Sequence, residues 1–140
     1  MENRKEMMYE MEALLRNVFR QLRLEINKLL NHEMTRNEFY ILKTLQENGP
    51  QKSSSLSKYL EVSASHITAM SDSLLEKDFI TRERSVSDRR IIEIAITESG
   101  KEKLQEFQEK KTEYLFKRFD CYSEEQMKTL IELFRKMDHS

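Results

Sequence analysis

The residues best suited to chemistry lie between Arg82 and Arg90. Four arginines (Arg82, Arg84, Arg89, Arg90) meet only two acids there, Glu83 and Asp88. A guanidinium is always charged and donates from a planar fork, so it matches the phosphate oxygens and the negative minor-groove potential of a nucleic-acid duplex. Asp88 can hold one of these forks by a bidentate pair. A second surface precedes it, in SASHITAMSDSLLEKD from Ser63. Ile67, Met70, Leu74 and Leu75 form an apolar helical stripe, which leaves Ala64, Ser65, His66, Thr68, Ala69 and Ser73 for the opposite side. Small polar side chains at a helix start, with Ser63 as its cap, approach phosphates and base edges closely, and the free N–H groups there favour a phosphate.

Other chemistries find little support. His66 stands among Ser, Ile and Thr, while His32 and His139 lie far away, so no pair has metal-ligand spacing. Cys121 is the only cysteine, which excludes an intramolecular disulfide and a cysteine-rich metal site. No paired carboxylates, nucleophile–base set or glycine-rich phosphate loop stands at a recognisable spacing, so neither an enzyme nor a cofactor is expected.

The elements that must carry these residues can be read from periodicity. Ser53–Leu60 and the stretch from Ser63 make a helix-turn-helix. Phe79–Arg84 and Ile91–Thr97 read as two strands joined by the arginine-bearing tip Ser85–Arg90, with Ile92, Ile94 and Ile96 alternating as a half-buried face. Asp78 supplies the left-handed residue that stops the preceding helix. Thr35 and Glu38 form a capping box for a helix that Asn48-Gly49-Pro50 ends, and Ser123 and Gln126 form another. A long amphipathic helix spans about Arg4 to Leu30, roughly 40 Å. Another runs from Glu98 to about Tyr122, and a last one carries Met127, Leu130, Ile131, Phe134 and Met137.

The fold class is therefore mainly α with a small β-hairpin wing. A single domain is expected, with a DNA-binding lobe over 33–97 and long helices over 1–32 and 98–140. Those long apolar stripes exceed what a fifty-residue lobe can cover, and a second copy of the chain is the economical partner. The 140 residues suffice for one core, and a net charge of −1 argues against non-specific coating of DNA. No apolar run is long enough to span a membrane, and MENRKEMMYE lacks a signal-peptide core, so a cytoplasmic location is expected.

Two segments resemble the MarR family of bacterial transcriptional regulators. DRRIIEIAITESG (Asp88–Gly100) is similar to the family's wing-to-helix pattern of Asp-Arg-Arg, alternating aliphatics and Thr-x-x-Gly. LSKYLEVSASHITAMSDSLLEKDFITRERS (Leu56–Ser85) resembles its helix-turn-helix and first wing strand. The resemblance implies a homodimeric regulator, a repressor in the first instance, on a pseudo-palindromic operator in double-stranded DNA. It places Arg90 in the minor groove, with Asp88 and Arg89 beside it. It also implies a small aromatic or lipophilic effector, for which Met8, Met11, Phe39 and Tyr40 are the candidate contacts. The chain departs from the family pattern at Asp78, where glycine is usual, and at Ala69, where many members carry a basic residue. It has no cysteine near the N-terminus, so thiol sensing is not implied. A winged-helix interaction module that has lost DNA binding is the rival reading.

Overall fold

The computed structural model describes residues 2–140; Met1, the first residue of the expected 1–32 segment, lies outside them. The chain order is α1 (Glu2–Lys28), α2 (Arg36–Asn48), α3 (Ser53–Leu60), α4 (Ala64–Glu76), β1 (Ile80–Arg84), β2 (Ile92–Ile96), α5 (Glu98–Arg118) and α6 (Glu124–Met137).

Local signals set most of these boundaries. Thr35 Oγ1 accepts from the Glu38 N–H at 3.1 Å, and the Glu38 carboxylate accepts from the Thr35 N–H at 3.2 Å, which completes the expected box. Gly49 ends α2 at φ 76°. Glu61, at φ 56°, stops α3 and begins the tight turn to Ser63, whose hydroxyl accepts from the His66 N–H. Asp78 adopts φ 63°. The Asp78 N–H donates to Leu75 O and the Phe79 N–H to Leu74 O, the paired bonds of a Schellman cap with Asp where glycine is usual. Thr97 Oγ1 accepts from the Gly100 N–H and donates to Asp78 O at 2.7 Å, so one hydroxyl caps α5 and ties it to the end of α4. A Cβ on Gly100 would stand 2.3 Å from Phe79 O, so this close approach requires glycine.

β1 and β2 pair antiparallel, with Ile80 opposite Ile96 and Arg84 opposite Ile92. Gln51 exchanges two backbone bonds with Ile94, at 3.0 and 2.7 Å, and adds a stub of a third strand where the sequence reads as loop. Ile94 is buried and Ile96 partly so, but Ile92 is 53% exposed. The expected alternation fails at Ile92 because the wing end projects past the lobe and no layer covers it. α5 ends at Arg118 rather than Tyr122, and turns at Asp120 and Tyr122 redirect the chain into the Ser123–Gln126 box.

The core joins Ile41, Leu42 and Leu45 of α2 to Leu56, Ile67, Leu74, Ile80 and Ile94, with Leu104 and Phe107 of α5 against it. It therefore draws on every element of the lobe. By contrast α6 holds no buried residue, and Met7, Met8, Met11 and Leu14 of α1 are all more than half exposed.

Candidate nucleic-acid interface

The start of α4 is open. Ala64, Ser65, His66, Thr68 and Ala69 are exposed, while Ile67, Met70 and Leu74 are buried beneath them. Ser63 and Ser65 share a hydrogen bond at 3.2 Å, and the Thr68 hydroxyl donates to Ala64 O, which leaves its lone pairs outward. Ser73 departs from the expected arrangement. It is half-buried and donates to Glu38 Oε2 at 3.2 Å, because its position faces α2 rather than solvent.

Asp72 joins the exposed face although the sequence gives no reason to single it out. Its carboxylate would repel duplex phosphates, but Arg82 of β1 reaches it at 2.8 Å. Only the folding of β1 against α4 brings these two together, so no local spacing signals the pair.

The wing tip is tied internally. The Ser85 N–H donates to Ile91 O at 2.8 Å, the Ile91 N–H to Asp88 O, and Arg84 to Arg89 O at 2.9 Å. Asp88 accepts both the Nε and the terminal NH2 of Arg90 at 3.1 Å, and the Arg90 backbone N–H as well. This is the bidentate fork expected from the sequence. It holds the Asp88 carboxyl below its ordinary range, through the side-chain bonds first and the backbone N–H second, and raises Arg90 above its ordinary value. The Arg90 side chain remains 91% exposed, so the fork orients the guanidinium without hiding it. Arg89 is exposed beside it.

The four effector candidates are not brought together. Met11 lines an apolar groove of about 450 Å³ between α1 and α6, with Leu15, Phe19, Leu130 and Phe134. Phe39 and Tyr40 line a separate cavity of about 170 Å³ between α1, α2 and α5, with Phe107, Arg23, Arg36 and Lys111. Met8 lines neither, and Phe39 is 3% exposed, a core residue with one face on the cavity. Cys121 is exposed, and among the described residues no helix is long and apolar enough to cross a membrane.

A helix-turn-helix with an open second helix, backed by an arginine-tipped hairpin and flanked by long helices, defines a winged-helix regulator. The MarR family model matches residues 34–92. The HTH-type transcriptional regulator YpoP of Bacillus subtilis (strain 168) is 60% identical over 138 residues, which cover 99% of this chain and 98% of YpoP. The HTH-type transcriptional repressor MdtR of the same organism is 27% identical over 76% of this chain and 69% of its own. Among solved structures, a MarR family protein from Bacillus stearothermophilus superposes with a TM-score of 0.83 at 24% identity, covering 95% of this chain and 94% of that one. A point mutant of S. aureus MepR bound to an oligodeoxyribonucleotide superposes with a TM-score of 0.69 at 19% identity, covering 90% and 94%. The chain belongs to the MarR family and is a transcriptional regulator.

Proposed function

We propose that the protein is a homodimeric repressor that reads a pseudo-palindromic operator, with α4 in the major groove and Arg90 in the flanking minor groove. The observation that carries this reading is the placement of an open α4 start and an Asp88-oriented Arg90 on one lobe. A B-form major groove admits a helix, and a narrow minor groove attracts an arginine. Ser65 and His66 are the side chains best placed for base edges, while Ser63, Ala64 and Thr68 lie close enough to the helix start to approach phosphate. Ser73 acts behind this face rather than on it.

The segments 1–32 and 98–140 form the dimer. Support comes from Met7, Met11, Leu14, Phe116, Leu130 and Phe134, all exposed in the single chain along α1, α5 and α6. Two-fold symmetry then sets two α4 helices about one duplex turn apart, roughly 34 Å. An effector releases the operator by favouring a dimer with a different spacing, through its differential affinity for the two states. The aromatic walls and three cations of the Phe39–Tyr40 cavity suit a small aromatic anion.

Selection of bound duplexes from a random pool tests the reading, followed by titration of the selected duplex at several salt concentrations. A selected palindrome and a steep salt dependence are expected. Ser65→Ala and His66→Ala should each relax preference at particular base pairs, by about 1–3 kcal/mol where a contact is lost. A flat isotherm with no selected sequence would leave the interaction-module reading.

A further inference from the structure

Glu38 is 4% exposed, and it is the one buried ionisable side chain among the described residues. Its capping role does not explain that burial. The box at the start of α6 is complete with a neutral, exposed Gln126 in the same position. In α2, one oxygen of Glu38 serves the Thr35 N–H at 3.2 Å, and the other accepts from Ser73 Oγ at 3.2 Å and Lys77 Nζ at 3.0 Å. Ser73 lies in the last turn of α4 and Lys77, one turn further on, is its C-cap, at the end opposite the open start. Thr68 and Thr129 turn their hydroxyls back onto their own helices, four residues earlier, whereas Ser73 directs its own across to α2. Burying a charge is costly, and apolar side chains of similar volume would hold the two helices together at least as well. What the carboxylate adds is direction.

We infer that Glu38 is a positioning residue for base reading: through Ser73 and Lys77 it fixes the rotation of α4 about its own axis. The inference rests on the proposed reading of α4 as the DNA-reading helix. Apolar packing of Ile67, Met70 and Leu74 against α2 is non-directional and tolerates a small roll of the helix. Side-chain tips stand about 5–6 Å from the helix axis, so a roll of about 20° moves Ser65 and His66 by about 2 Å. That displacement exceeds the range over which a hydrogen bond to a base edge survives. Bonds from two turns of α4 to one rigidly capped carboxylate resist such a roll.

The test uses full-length Glu38→Gln/Ser73→Ala/Lys77→Met. Glutamine keeps the cap, as Gln126 does in α6; alanine removes the hydroxyl link; methionine keeps the lysine stem and strands no charge. Melting temperature, affinity for a random duplex and base preference in a pool selection are measured beside the wild type. The expected result is a melting temperature and random-duplex affinity close to wild type, with preference at the major-groove positions flattened about tenfold. Wild-type preference in the triple variant overturns the inference. If the triple variant does not fold, Ser73→Ala alone decides: a measurable flattening supports the positioning role, and unchanged preference overturns it. A wild-type protein that selects no sequence fails at the earlier step, the DNA-reading assignment, and takes the inference with it.

Discussion

Arg90→Ala separates a wing that touches DNA from one that only decorates the surface. The Arg90 side chain is 91% exposed, and its bonds run only to Asp88 within the same tip. Its loss should therefore leave the melting temperature unchanged. On DNA each cation near the phosphates contributes about 0.9 to the slope of log affinity against log salt. Two wings on one duplex make the loss about 1.8. Over a fourfold rise in salt, from about 50 to 200 mM, the deficit of the variant should shrink about twelvefold. The assay is a fluorescence titration of an operator duplex across that series. Asp88→Ala should weaken binding less, since the guanidinium stays but loses its orientation. Arg90→Lys should keep the slope and lose affinity, because an ammonium cannot pair with both oxygens of Asp88 and still donate inward from a planar fork. Arg90 holds the Asp88 carboxyl below its ordinary range, so the pair is intact at neutral pH and breaks only as pH falls through that lowered value. Wild-type affinity and slope in Arg90→Ala would refute minor-groove contact by the wing.

Three further outcomes follow from the rest of the molecule. Phe134→Glu places a charge on the exposed apolar face where Phe134 meets Phe19 of α1 at 6.4 Å between ring centres; light scattering should show monomers or aggregates and operator binding should vanish, and a binding-competent dimer would remove Phe134 from the interface. Gly100→Ala forces a methyl against the Phe79 carbonyl and should destabilise the fold by about 1–3 kcal/mol in chemical denaturation, whereas no loss would show that the α4–β1 turn yields freely. Burial, and then the bond to Glu25, raise the Tyr114 phenol above its ordinary value, so the stability it contributes is present below that value and fades as pH rises through the raised one; ultraviolet titration should show a late-ionising phenol that is absent in Tyr114→Phe.

Where a structural signal is local, it is legible in the sequence. Thr35 with Glu38 and Ser123 with Gln126 lie within one helical turn of each other, so backbone geometry alone places their bonds. Asp88 and Arg90 are two residues apart, and their fork needs only a tight tip. The α3–α4 pair and the wing follow from hydrophobic period and breakers, which depend on the chain's own repeat and little on what it packs against.

Tertiary structure decided what distance along the chain conceals. Asp72 meets Arg82 only after β1 folds back over α4. Gln51 becomes a strand residue only because Ile94 offers an unpaired edge. Glu38 reads as an ordinary capping residue, and its burial and its hold on Ser73 and Lys77 arise from elements more than thirty residues apart. The same limit applies to Ile92, Met11 and Phe39. Alternation and apolarity mark which side chains avoid water, but which cavity or surface receives them depends on where neighbouring elements end, and that is a property of the assembled layers rather than of any segment.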